Sequence, residues 1–412
     1  MSSLAQTYSV IPLSIQDEGD CFMVGSQALG DFYQLPKEGV AIIAMLREGA
    51  SVDAIKASAA RDFADAVDVD DFIATMLAIG FIAADGHSAS PTVAQANFHD
   101  TDRRIRFSMR TETARRFISP PAIALYAGVL ACAAWAMLAD ARTRPNLQAF
   151  YLEKNLTLTL LALLVLQTLT TILHECGHMI AAASQGVHSR LGIGNRMWNI
   201  VAEADLTGIF SLPKRQRYFP LLAGMLVDLF SISCITLIIG QLVQNGAMPF
   251  LVAILQALIL QILITLSWQL NLFLRTDLYY VICEYVNYPT LDSDARVYIA
   301  DRLYRLSGGR AGRPATGAIC ERIHIVRWFA GIWIAGRIAS VAVLLAIILP
   351  TLLLYVNDAY QAINGNGAGK HDALDVIAFA ALGILLTGTG LVVWAAGKFK
   401  LAKERSNARR HA

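Results

Sequence analysis

The sequence predicts a mainly α, polytopic membrane protein with about six transmembrane helices, preceded by a small N-terminal α+β winged-helix-like domain. Three observations predict it. Charged residues make up only 16% of the 412-residue chain and apolar ones 55%, where soluble domains carry roughly 25% charged residues. The apolar residues gather in runs of the length that a helix needs to cross a hydrocarbon core, about 20 residues. Ahead of these runs, residues 1–90 show short alternating and helical patterns of the kind a small soluble domain uses.

Within residues 1–90, "CFMVGSQALGDFYQLP" reads as a hairpin, with Phe22 and Val24 in one strand and Phe32, Tyr33 and Leu35 in the next. A helix around Gly39–Arg47 carries Ile42, Ile43 and Leu46. Ser51 is placed to cap a second helix over 52–63. Asp68 and Asp71 supply a cap and a first-turn carboxylate for a third, which presents Phe72, Met76 and Leu77 and stops at Gly80. "FIAA" after it reads as a further strand. The surface is acidic (Asp17, Glu18, Asp20, Asp62, Asp65, Asp68, Asp70, Asp71), which argues against nucleic acid as a partner. The opening residues lack the basic and apolar regions of a signal peptide.

Residues 91–116 form a basic juxtamembrane linker with Arg103, Arg104, Arg106, Arg110, Arg115 and Arg116. The membrane domain, 117–397, is expected to place spans near 117–139, 156–184, 218–243, 248–274, 328–356 and 373–396. Lys and Arg concentrate in 91–116, in the loops 185–217 and 281–327, and in the basic tail 398–412. Six spans with those segments inside satisfy the positive-inside rule throughout and put both termini in the cytoplasm. The six cysteines are scattered without a CxxC pair, so neither a disulfide framework nor a thiolate metal site is expected.

The chemistry lies in "LHECGHM", Leu173–Met179, at the end of the second apolar run. His174 and His178 are four apart, so a helix puts both rings on one face. Two imidazoles so spaced can hold zinc, and Glu175 beside the first can take a proton from zinc-activated water and pass it to the leaving amine. The bland alternative is two buried histidines at a chance spacing. Burying a glutamate and two histidines in a bilayer span costs several kcal/mol without compensation, and a metal compensates. Gly177 leaves room for a close neighbour. Catalytic zinc takes three protein ligands, so one more must come from another span. If the second span meets the cytosol near Ser184, His174 lies roughly 15 Å in, at about 1.5 Å per residue. Asp277 in "NLFLRTDLYY" and Asp228 in "GMLVDLF" are both at suitable depth. Either can be the ligand, and either can instead orient a histidine.

"HECGH" at the inner end of a span, with a carboxylate at the end of a later one, resembles the site-2 protease family of intramembrane zinc metalloproteases, and more closely its peptide zinc metalloprotease branch. That branch carries N-P-x-x-x-x-D-G-Y-Y. Here Asn271, Asp277, Tyr279 and Tyr280 match in register, with Leu272 and Leu278 at the Pro and Gly positions. The resemblance implies Asp277 as third ligand and Zn2+ as cofactor. The family's G-P-x-x-N falls on Gly224–Asp228, which implies a substrate-binding or ligand-orienting role for Gly224, Asp228 and Asn271. Residues 15–85 resemble the PqqD-like peptide-binding domains through "GDFYQLPKEGVAIIAMLREG" and "DDFIATMLAIGFI". In those domains a peptide adds as a strand to the hairpin edge.

These readings imply an enzyme that hydrolyses a peptide bond of a membrane-anchored protein or peptide precursor, placed in the bacterial inner (cytoplasmic) membrane. The partners are then that substrate and the lipid bilayer. Segment 185–217, with glycines between apolar residues, reads as strands whose edge can hold an extended substrate. Residues 291–306 read as an amphipathic helix. The competing reading is a non-proteolytic peptide-binding membrane partner, an export or immunity component that keeps the protease fold. A transporter is less favoured, because no internal repeat is visible.

Overall fold

A computed structural model describes residues 8–63, 67–84, 105–107, 109–145, 156–196, 199–246, 248–307 and 322–343, a helix at 374–385 and single positions between 345 and 396. The basic residues 103, 104, 310 and 313 and the tail 398–412 lie outside the described residues, as does most of 344–373. The chain is mostly helical with a small N-terminal β region. It divides into two compact units, one of residues 1–118, 178–193 and 203–220, the other of 119–177, 194–202 and 221–412.

In the first unit, β1 (Tyr8–Val10) pairs antiparallel with β5 (Ile82–Ala84). Strands β2 (Ser14–Asp17), β3 (Phe22–Ser26) and β4 (Asp31–Leu35) form an antiparallel sheet in that order. Helices α1 (Lys37–Arg47), α2 (Val52–Asp62) and α3 (Val69–Ala78) follow. Ser51 Oγ accepts from the Ala54 N–H, and an Asp68 carboxylate oxygen from that of Asp71 at 3.0 Å, so both side chains cap their helices. Pleating sends Ile15, Val24 and Tyr33, which are cross-strand partners, to one face. Val24 joins Ile42, Ile43, Leu46, Ile55, Ile73 and Phe81 in the core there.

The other face carries the row Ser14, Gly25 and Phe32. A β-carbon on Gly25 would collide with the Phe32 ring. The chain's own 3-10 turn Thr207–Ser211 covers this face. Gln16 Nε2 donates to the Ser211 carbonyl at 2.8 Å, Ser14 Oγ donates to the same oxygen, and Phe210 meets Phe32 with ring centroids 6.1 Å apart. Arg217 is completely buried and pairs with Glu18, whose side chain is 2% exposed. It also donates to the carbonyls of Leu212 and Phe210.

Where a linker is expected, the chain forms β6 (Ile105–Phe107) and α4 (Thr111–Arg116). Strand β6 joins β7 (Ser189–Arg196) and β8 (Asn199–Asp205) in the order β6-β7-β8. The 185–217 segment thus contains strands, as its glycine-punctuated apolar pattern implies.

Among the described residues, five helices are long and apolar enough to cross a membrane: α5 (Pro120–Ala139), α6 (Leu156–Ser184), α7 (Lys214–Gln244), α8 (Pro249–Trp268) and α11 (Ile323–Val343). A 20-residue helix is about 30 Å long, the thickness of a hydrocarbon core. In α5, Trp135 and Leu138 are more than 70% exposed, the placement that lipid rather than water favours. The most enclosed is α7, with 39% of its apolar stretch buried against 6% for α5. The fourth span is shorter than the sequence predicts. It stops at Trp268 because the chain turns through Gln269–Asn271 into a 3-10 turn, Leu272–Leu274. Helices α9 (Asp277–Val286) and α10 (Leu291–Leu306) follow it. Of the expected sixth span, α12 (Leu374–Leu385) and positions 388, 389, 392 and 396 are described. Its Asp375 carboxylate accepts from the backbone N–H groups of Leu156 and Thr157 at 2.7 and 3.0 Å, capping α6.

Candidate metal centre

His174 and His178 sit one turn apart on α6, 7% and 2% exposed. Gly177 lies between them. A β-carbon there would stand 2.7 Å from Val227 Cγ2 and 3.0 Å from the Ala223 carbonyl oxygen, both on α7. Only glycine lets the two helices approach this closely.

Each ring is held through its Nδ1. His178 Nδ1 is 2.7 Å from the Pro220 carbonyl oxygen. A carbonyl only accepts, so that nitrogen carries the hydrogen and Nε2 keeps a lone pair. His174 Nδ1 is 2.8 Å from Asp228 Oδ2, on α7 and 4% exposed. A carboxylate there imposes the same tautomer. These are the partners that orient metal-binding histidines. Pro220 is interior to α7 and has no N–H for the carbonyl of Gln216, four residues back. Gln185 Nε2 donates to that carbonyl instead, at 2.9 Å.

Asp277 opens α9 and is held by Gln269. Gln269 Nε2 donates to Asp277 Oδ2 at 3.0 Å, and Gln269 Oε1 accepts from the Asp277 N–H at 3.1 Å. Thr276 Oγ1 donates to the Gln269 carbonyl at 2.7 Å, closing the loop. The same Asp277 oxygen is 3.2 Å from His174 Nε2.

His174, His178 and Asp277 each offer one ligand atom, and these atoms all lie within 4.8 Å of one another. The cluster can bind a metal ion. Two ligands of a tetrahedral zinc at bond lengths of 2.0–2.1 Å stand roughly 3.3 Å apart, which matches the 3.2 Å seen for His174 and Asp277. With the His174 hydrogen on Nδ1, the Nε2 lone pair faces a carboxylate, an arrangement that a bound metal ion or a second proton on the ring makes favourable. Two imidazoles and one carboxylate are a donor set used by catalytic zinc, leaving a fourth position open. Glu175 follows His174 on the helix and is half-buried. The buried Cys283, outside the five long helices, is not among the grouped ligand atoms.

Of the residues singled out from the sequence, His174, His178, Asp277 and Asp228 come together. The two carboxylates left open there take different places, Asp228 on Nδ1 of His174 and Asp277 on the Nε2 side. Gly224 is buried in α7 one turn before Asp228. Asn271 stands at the start of the 3-10 turn, and its side chain hydrogen-bonds none of the four. Leu278, at the glycine position of the resembled motif, lies in the first turn of α9. The left-handed backbone belongs to Arg275, with φ 55°. Sequence reading missed Gln269 and the Pro220 carbonyl. Their available signals were a glutamine at the end of an apolar run and a proline within one.

No protein-family model matches the chain, and no curated protein or solved structure is detectably similar to it.

Proposed function

We propose that the chain is a membrane-embedded zinc metalloprotease of the site-2 protease type, cleaving a membrane-anchored protein or peptide precursor. The observation that carries this reading is the convergence of His174, His178 and Asp277 within 4.8 Å, with Glu175 following His174 on the same helix. Helix α6, which carries His174, Glu175 and His178, is long and apolar enough to cross a membrane.

Zinc, when bound, supplies a Lewis acid that polarises the scissile carbonyl and acidifies water. Glu175 takes the proton from water and hands it to the leaving amine. Asp228 and the Pro220 carbonyl keep the hydrogen of each ring on Nδ1, so the Nε2 lone pairs stay available. Gln269 holds the Asp277 carboxylate toward His174. Strand β4 ends the sheet β2-β3-β4, and a precursor peptide adding to its edge would be recruited by backbone hydrogen bonds. The proposed setting is the bacterial cytoplasmic membrane with both termini in the cytosol.

The test is metal analysis of the purified chain beside cleavage of a panel of single-span membrane proteins reconstituted with it. About one zinc per chain is expected. Glu175→Gln keeps the zinc and abolishes cleavage. Equal cleavage by wild type and Glu175→Gln removes the hydrolytic role. Zinc without cleavage of any kind favours a peptide-binding partner that retains the fold.

A further inference from the structure

The acid of the metal cluster sits in a segment whose backbone is held in an unfavourable conformation. Arg275, two residues before Asp277, has φ 55° and ψ 50°, a left-handed conformation that a residue with a β-carbon avoids. Its N–H donates to the Leu272 carbonyl at 3.2 Å, and its side chain is held by a carboxylate from the next helix but one along the chain. Arg275 Nε donates to Asp292 Oδ2 at 2.9 Å. Asp292 is completely buried, whereas the side chain of Arg275 is 53% exposed. A buried carboxylate requires compensation, and a second cation supplies more. Arg296, one turn later on α10, reaches Asp292 Oδ1 with Nε at 3.2 Å and Oδ2 with its terminal nitrogen at 2.9 Å.

The same residue is also fastened on the other side of Asp277. The Asp292 N–H donates to the hydroxyl of Tyr279, two residues after Asp277, at 3.2 Å. Tyr279 is 3% exposed and packs on Phe329 with ring centroids 5.8 Å apart. Asp292 therefore grips the chain two residues before Asp277 and two residues after it. Neither grip touches the Asp277 carboxylate. The purpose that both share is to fix where the first turn of α9 begins.

We propose that Asp292 is a positioning residue for the metal ligand Asp277, acting through Arg275 and Tyr279 as a two-point clasp that stabilises the left-handed turn. This rests on the reading of Asp277 as a ligand. The clasp contributes to metal affinity by presenting the carboxylate before any ion arrives, so that binding does not have to order the turn.

The test is zinc affinity of the full-length chain in detergent, by competition with a chelator, beside its thermal midpoint. Arg275→Ala and Arg275→Gly remove the same ion pair. They differ in that glycine accepts φ 55° without strain and alanine does not. Arg275→Ala is expected to weaken zinc about tenfold, in the range typical of groups that orient ligands, and Arg275→Gly to stay within about threefold of wild type. Asp292→Asn should weaken zinc about 10- to 100-fold. Adding Arg275→Gly to it should recover most of that loss. A role in general stability alone would lower the thermal midpoint, of Arg275→Ala more than of Arg275→Gly, and leave the zinc affinity of the folded variants equal to that of wild type. Wild-type protein that takes up no zinc overturns the metal centre and the clasp with it. Wild-type protein that binds zinc, with Arg275→Ala and Arg275→Gly equal in affinity, overturns the clasp and leaves the centre standing.

Discussion

Helix α6 and the segment 269–277 deliver their donors to one point by opposite means. On α6 the main chain sets the separation: His174 and His178 are a helical turn apart, and each ring needs only one anchor, Asp228 or the Pro220 carbonyl. Asp277 has no such rail behind it. It follows a 3-10 turn and a left-handed residue, and its carboxylate is aimed by Gln269 from the end of the previous helix. Rings on a helix should therefore tolerate the loss of an anchor better than an acid on a turn tolerates the loss of its contacts.

Removing a donor is the largest way to test that contrast. Asp277→Ala and His178→Ala should each reduce bound zinc from about one per chain to background, measured on dialysed protein by elemental analysis. Next come the anchors, where the contrast is sharpest. Gln269→Leu removes the side-chain bonds to both the Asp277 N–H and its carboxylate, and is expected to weaken zinc 10- to 100-fold. Asp228→Asn keeps an acceptor for the His174 hydrogen and should lie at or below the low end, about tenfold. If Asp228→Asn proves the more damaging, the contrast is wrong.

A smaller effect concerns the rail itself. Gly177→Ala forces a methyl into the Val227 side chain and the Ala223 carbonyl. Overpacking of this kind costs about 1–3 kcal/mol, to be read as a lower thermal midpoint in detergent. The smallest effect is expected at Pro220. The acceptor for His178 is a main-chain oxygen, which Pro220→Ala retains, so zinc affinity should stay within about threefold of wild type. A tenfold loss there would mean that the ring depends on the proline's distortion of α7 rather than on its carbonyl.

The same division explains what the sequence disclosed. His174, Glu175 and His178 are legible because a four-residue spacing on a helix is a local fact. The apolar runs are legible for the same reason, and five of them form helices long enough to span a membrane. The fourth run hid its break at Trp268, because Gln269–Asn271 sits among leucines and its turn is stabilised by residues farther along. Depth along a helix could not rank Asp228 against Asp277, since the difference is which nitrogen of His174 each faces. Asp292 misled most. In "LDSDARVYIADRLYRL" a surface helix would expose its acids, yet Asp292 is completely buried while Leu303 and Leu306 are exposed. Its partners are 17 residues back at Arg275 and four ahead at Arg296, and only the second is a helical neighbour.

The Glu18–Arg217 pair has a practical consequence for anyone who would trim this protein. Truncating the first 84 residues would remove the counter-ion of the buried Arg217 guanidinium together with part of its surroundings. Arg217 lies three positions ahead of Pro220, so the damage would begin less than one turn from the oxygen that steadies His178. A shortened chain that fails to cut would therefore say nothing about whether the missing part recruits a peptide. Point changes along the outer edge of β4, which leave that ion pair intact, separate the two.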